Sequence, residues 1–301
     1  MILTLPDTTT SQIATTLAEA REKASVANGR VLTLLVAANG NDNVDVILET
    51  VRNATRKNPA RVLVCLLGNP KAETSIDALL LIGADAGASE IIVMELNGEL
   101  TEHLDAVVTP LLLPDTPIVA WWPTFSPTCP AKDQIGTLAQ RRITTYSSAA
   151  AAAEGYTPGD SDMMWSRITA WRAVVASALD RCLESKVAAV EISGLADDPS
   201  VDIAAGWLAS ALNVPVSRSS ASTNADAVPI AKLTLHASDG DITVETIDGN
   251  TVAVSVPNHP TMFAALSART DAECLAEELR HLGPDATYGR ALQGVKIHAD
   301  S

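Results

Sequence analysis

Aromatic side chains are scarce in this chain: two Phe, three Tyr and five Trp among 301 residues, only 3% of the total. The hydrophobic share of 47% is therefore mostly Ala, Val, Leu and Ile. Positive charge is also in short supply, with 21 Lys and Arg against 36 Asp and Glu, a net charge of −15 and a pI near 4.6. Such a balance argues against a nucleic-acid or anionic-membrane partner, which would need a basic face. It leaves room for a small anion held by a local arginine cluster. The four cysteines, Cys65, Cys129, Cys182 and Cys274, stand far apart with no C-x-x-C spacing, so neither a disulfide framework nor a zinc site is expected. No run approaches the ~20 apolar residues of a membrane-spanning helix. The opening MILTLPDTTT lacks a basic region and an apolar block, so no signal peptide is expected and the expected location is cytoplasmic. The five histidines are scattered without metal-ligand spacing. G-x-S-x-G, a Walker A loop, H-E-x-x-H and G-x-G-x-x-G are all absent, so the expectation is no cofactor, no metal and no catalytic residue.

At 31.5 kDa the chain suits one large or two medium domains. Residues 30–38 (RVLTLLVAA) and 61–68 (RVLVCLLG) are nearly continuous apolar runs, the signature of strands covered on both faces. Between them Val44, Ile47, Leu48, Val51 and Ala54 form one helical stripe, which predicts a βαβ unit with parallel pairing. Residues 90–96 (EIIVMEL) and 187–194 (VAAVEISG) read as further buried strands. Asp198 and Pro199 open a helix with a cap and a first-turn proline. A single helix is predicted over about 162–183, with Met164, Ile168, Trp171, Val175 and Leu179 on one stripe. From Ala231 onward the pattern becomes alternating, with turns at SDGD (238–241) and DGN (248–250), which predicts an antiparallel three-stranded meander. The fold class expected is α/β in two domains with largely parallel sheets flanked by helices, the second carrying the meander. The boundaries read as 1–147 for the first domain, 148–161 for a connector and 162–301 for the second.

Four features invite a functional reading. The stretch LPDTPIVAWWP (113–123) places Trp121 beside Trp122 at the end of a short strand, where adjacent side chains face opposite ways, so one ring packs inside and the other points toward a second layer, a cleft or a partner. Trp165 and Arg172 lie seven apart on the edge of the helical stripe with Arg167 at the opposite edge; these are packed stems or interface anchors. GADAGASE (83–90) is either a structural turn or a phosphate cradle. Arg141 and Arg142 are either solvated charges or a phosphate receptor.

LPDTTT at 5–10, GADAGASE at 83–90, LPDTPIVAWWP at 113–123 and WSRITAWR at 165–172 together resemble the actinobacterial glucose-6-phosphate dehydrogenase assembly protein family, OpcA, and the similarity runs through both domains. The resemblance implies a non-catalytic, cytoplasmic accessory protein that binds glucose-6-phosphate dehydrogenase as a hetero-oligomer. It would promote the enzyme's assembly or act as an allosteric activator, supporting NADPH supply at the entry to the oxidative pentose phosphate pathway. The expected contact residues are Trp121, Trp122, Trp165, Arg167 and Arg172. The alternative is a sugar-phosphate enzyme or sensor of lactonase or isomerase type, with Arg142, Arg172 or the glycines of GADAGASE at the phosphate.

Overall fold

The computed structural model describes residues 1–24, 31–86, 90–145, 148–182, 186–223 and 228–299. In chain order the first elements are β1 (Ile2–Leu5), α1 (Thr10–Ala24), β2 (Leu32–Asn39), α2 (Val44–Ala54), β3 (Ala60–Leu67), β4 (Ser75–Leu81) and β5 (Glu90–Asn97). They continue with α3 (Leu104–Val108), β6 (Ile118–Trp121), β7 (Arg141–Thr144), α4 (Ala149–Gly155) and β8 (Asp160–Asp162). The remainder is α5 (Met163–Arg167), α6 (Thr169–Leu179), β9 (Val187–Gly194), α7 (Pro199–Leu212), β10 (Val216–Ser220), β11 (Ile230–Ala237), β12 (Gly240–Thr246), β13 (Thr251–Ser255), β14 (Met262–Ala265), α8 (Asp271–Glu278) and α9 (Ala286–Ala299). Two compact units result: residues 1–145, 159–161 and 272–284 form the first, and 146–158, 162–271 and 285–301 the second.

The first unit holds an eight-stranded sheet in the order β1-β4-β5-β3-β2-β6-β7-β8. Strands β5, β3, β2, β6 and β7 run parallel to one another. All but the last residue of β2 and of β3 are buried, as strands covered on both faces require. The segment joining β3 to β5 contains β4, which pairs antiparallel with β5, and β1 extends that edge antiparallel to β4. Helix α1 opens with a reciprocal cap: Thr9 Oγ1 accepts from Gln12 N–H at 3.3 Å, and Gln12 Oε1 accepts from Thr9 N–H at 2.9 Å. Arg21 of α1 reaches the fully buried Glu90 at the head of β5 at 2.7 Å, and Arg61 of β3 reaches the same carboxylate at 3.0 Å.

The second unit holds a six-stranded sheet, β10-β9-β11-β12-β13-β14. Its β9/β10 pair is parallel, and all other pairs are antiparallel. The predicted meander is present as β11, β12 and β13, and β14 adds a fourth strand. Buried Val190, Ile192, Leu233, Leu235, Ile242, Val244, Val252 and Val254 share one core with Trp165, Trp171, Val201, Leu208 and Tyr288. Helices α7 and α9 approach backbone to backbone: a Cβ added at Gly294 would sit 2.0 Å from the Gly206 carbonyl oxygen.

The observed division differs from the one expected at 148–161. That stretch carries α4 and most of β8, and residues 159–161 with 272–284 belong to the first unit. Buried ion pairs account for this: Arg142 of β7 bonds Asp160, and Arg141 bonds Glu278 of α8 through Nε at 3.0 Å. The single helix expected over 162–183 is interrupted at Ile168, which ends α5 and begins α6 with φ −97° and ψ 7°.

Candidate functional site

In the first unit, connections leave β2 toward β3 on one side and arrive at β6 on the other, so the strand order reverses between β2 and β6. Outside the carboxyl ends of parallel strands, such a reversal opens the crevice where open α/β sheets bind ligands. The turn leaving β2 is Asn39-Gly40-Asn41-Asp42-Asn43. Gly40 is held close to β3, its N–H donating to Leu67 O at 2.8 Å, and a Cβ there would lie 3.0 Å from that oxygen. Asn43 caps α2, its side-chain oxygen accepting from Asp45 N–H at 3.1 Å and Val46 N–H at 3.4 Å. Asp42 Oδ2 accepts from Asn39 N–H at 2.7 Å, and Thr124, just past β6, donates its hydroxyl to the same oxygen. Loops on the two sides of the reversal are thus joined through one carboxylate oxygen. After β3, Gly68 lies against Asn97, whose side-chain oxygen accepts from Asn69 N–H at 3.0 Å.

The tryptophan pair sits beside this crevice. Trp121 pairs with Val36 of β2 and Ile143 of β7, and Trp122 follows immediately. Of the alternatives for the second ring, a second layer, a cleft or a partner, the second layer is the one found: Trp121 is 3% exposed and Trp122 is fully buried with Leu104, Val107 and Ile135. Both faces of this sheet are interior, so side chains pointing opposite ways both find cover. Arg141 and Arg142 are neither solvated nor open to a phosphate, because both are buried and bound to Glu278 and Asp160. In GADAGASE, Gly83 has φ +70° and starts a short 3₁₀ turn through Ala86, while residues 87–89 lie outside the described residues. The LPDTTT segment borders a cavity of about 430 Å³ with Thr74, Ser75, Leu100 and Val107.

In the second unit, WSRITAWR builds a clamp. The Trp165 ring is 2% exposed, and the Arg172 guanidinium lies 3.4 Å from its centroid. On the indole edge, Nε1–H donates to Asp285 Oδ2 at 2.8 Å. The other oxygen of Asp285 accepts from Thr287 N–H at 2.8 Å and Tyr288 N–H at 3.0 Å, capping α9. Tyr288 stacks against Trp165 at 5.7 Å and edge-on against Tyr156 at 5.9 Å. Burial is the largest influence on the Asp285 carboxyl and pushes it up, but three N–H donors and the Arg172 charge together hold it below its ordinary value. Arg172 also donates to Thr169 Oγ1 at 2.8 Å. The half-exposed Arg167 faces Asp271 at 3.0 Å, a pair open to solvent. Asp285 and Tyr288, which complete the clamp, went unnoticed in the sequence; Asp285 followed by an apolar-periodic stretch is the N-cap signal that marks them.

Among the described residues, no group of three or more His, Cys, Asp or Glu side chains is placed to hold a metal ion. The buried Cys65 thiol is pushed up to about 12 by loss of solvent. No described helix is long and apolar enough to cross a membrane.

The family model for the N-terminal domain of the glucose-6-phosphate dehydrogenase subunit matches residues 51–156, and that for the C-terminal domain matches 158–292. The chain belongs to the OpcA family. A comparison with curated proteins finds no match. Among solved structures, the chain is similar to glucose-6-phosphate 1-dehydrogenase from Mycobacterium avium, with 8% identity and a TM-score of 0.53 over 89% of this chain and 92% of that one. That likeness is one of fold: Rossmann-like α/β, with β5-β3-β2-β6-β7-β8 in the order 3-2-1-4-5-6. An inositol dehydrogenase homologue from Azotobacter vinelandii also aligns, with 9% identity and a TM-score of 0.39 over 91% of this chain and 88% of that one. So does a Gfo/Idh/MocA family oxidoreductase from Vibrio cholerae, with 9% identity and a TM-score of 0.39 over 87% and 94%.

Proposed function

We propose that this OpcA-family chain is a non-catalytic, cytoplasmic partner of glucose-6-phosphate dehydrogenase that binds the enzyme in a hetero-oligomer and favours its active form, thereby raising NADPH production. The observation that carries this reading is the match of both halves of the chain to the two domain models of a dehydrogenase subunit. To act as an activator, the chain must bind the active state more tightly than the inactive one. A difference of ~1–3 kcal/mol changes substrate affinity about 5–150-fold. The contact surface includes Arg167 and Arg172, which are both partly exposed. An exposed pair such as Arg167 with Asp271 is worth only ~0–1 kcal/mol, so Arg167 exchanges that partner for a carboxylate on the enzyme at little cost. Trp165 supports that surface from inside the second unit, under the Arg172 guanidinium, whereas Trp121 and Trp122 are buried in the first unit.

The test is dehydrogenase kinetics over a range of glucose 6-phosphate with and without the chain, beside a control containing the chain alone. A lowered KM or raised kcat supports activation. Co-elution without a kinetic change reduces the role to assembly. Turnover of a sugar phosphate by the chain alone, or no association at all, overturns the reading.

A further inference from the structure

We infer that the first unit is a dinucleotide-binding framework whose phosphate site has been replaced by an internal carboxylate staple, so that it binds no nicotinamide dinucleotide. The fold and strand order place such a ligand at the β2–α2 turn, opposite the exit of β6. The turn there must supply three glycines: one for the sharp bend, one to let the backbone approach the pyrophosphate, and one for close packing of helix on strand. In this chain the six positions read Gly40-Asn41-Asp42-Asn43-Val44-Asp45. The first glycine is retained, and its close contact with Leu67 O requires it. The second and third are replaced by aspartates.

Three consequences follow from chemistry. The amino end of α2, whose partial positive charge would attract the pyrophosphate, instead carries two carboxylates that repel it. The Asp45 and Val46 N–H groups, which a phosphate oxygen would use, already donate to the Asn43 side chain. Asp42 Oδ2, held by Asn39 N–H, takes the Thr124 hydroxyl and so ties the β2–α2 turn to the loop after β6, across the mouth a ligand would enter. At the end of β3, where an acidic side chain would take the ribose hydroxyls, the chain has Gly68 and Asn69. The Asn69 side-chain oxygen is used by Lys71 N–H at 2.9 Å. The residues present do not fit the group.

The test has two arms on the full chain. Titration calorimetry and thermal shift with NADP⁺, NADPH and NAD⁺ are expected to give no saturable heat and no shift at millimolar ligand. Saturable micromolar binding of any of them overturns the loss of the site. In the second arm, Asp42→Asn, Thr124→Val and their double variant are compared by urea unfolding. The expected result is that the double variant loses no more stability than the worse single one, because both remove the same link. Additive losses overturn the staple. Neither arm involves the dehydrogenase, so the outcome is independent of the activation assay.

Discussion

Replacing Trp165 with alanine decides whether WSRITAWR is a contact surface or a structural clamp. The ring is 2% exposed, and truncating a buried tryptophan costs ~3–5 kcal/mol through lost transfer energy and the cavity left behind. The Nε1–H bond to Asp285 is lost as well, and a hydrogen bond to a charged group contributes ~1.5–3 kcal/mol. The stacked Arg172 guanidinium loses an interaction of ~0.5–2 kcal/mol. These contributions share one ring and are not additive, so a loss of about 4–6 kcal/mol is a sound expectation. Against a net stability of ~5–15 kcal/mol that is a large fraction. At ~2–4 °C per kcal/mol for a unit of this size, the melting temperature should fall by roughly 10 °C or more. Trp165→Phe keeps the ring and loses only the N–H, so its fall should be a small part of that. The assay is thermal unfolding by circular dichroism, followed by dehydrogenase kinetics well below both transitions. A Trp165→Ala protein that melts like the native chain but no longer affects the dehydrogenase would refute the clamp and restore the ring as a contact.

Gly294→Ala should destabilise the second unit although alanine gains ~1 kcal/mol over glycine inside a helix. Its Cβ would meet the Gly206 carbonyl at 2.0 Å, and overpacking of that kind costs ~1–3 kcal/mol or more; a raised urea midpoint would sink this argument. The lowered Asp285 pKa predicts stability that is fully present above the unfolded value of ~3.9 and is lost as pH falls through the folded value. Urea midpoints measured from pH ~6 to ~3 should therefore decline less steeply in Asp285→Asn than in the native chain, and parallel curves would count against the assignment. Because burial pushes Cys65 to about 12, mass spectrometry after alkylation at neutral pH should find that thiol unmodified in the native protein and modified in urea.

The parallel core of the first unit was legible because strands covered on both faces need nearly continuous apolar sequence, and 30–38 and 61–68 have it. The meander was legible because glycine marks its turns. Strand β4 was not: Ser75–Leu81 alternates only in part, and its antiparallel place beside β5 is fixed by long-range pairing. Alternation left the second ring of the Trp121–Trp122 pair open between a second layer, a cleft and a partner, because it says which way a side chain points and not what covers it. The clamp was half visible: Trp165 and Arg172 share a helix edge, but their partners at Asp285 and Tyr288 lie more than a hundred residues on. Arg141 and Arg142 stood open between solvent and a phosphate because spacing does not show their carboxylates, Glu278 for Arg141 and Asp160 for Arg142. The turn Gly40–Asp45 shows no fingerprint as sequence; only its position between β2 and α2 identifies what the two aspartates replace.

Three of the four stretches that carry the family resemblance share a property that changes how functional variants must be read. LPDTTT leads into the reciprocal cap of α1, LPDTPIVAWWP delivers two buried rings to the first core, and WSRITAWR clamps α5 and α6 to the start of α9. Their buried side chains are framework, so substituting those acts first on stability. Since a loss of a few kcal/mol approaches the whole margin of a folded domain, such variants would lose any effect on the dehydrogenase by unfolding, and the loss would mimic a damaged interface. A contact residue must show the opposite pattern: an unchanged melting temperature together with a changed dehydrogenase response. Arg167 meets the structural condition for that test, because its solvent-exposed bridge to Asp271 contributes little to the fold. Arg167→Ala should leave the melting temperature within about 2 °C of the native value, so that any change in dehydrogenase kinetics reports contact directly.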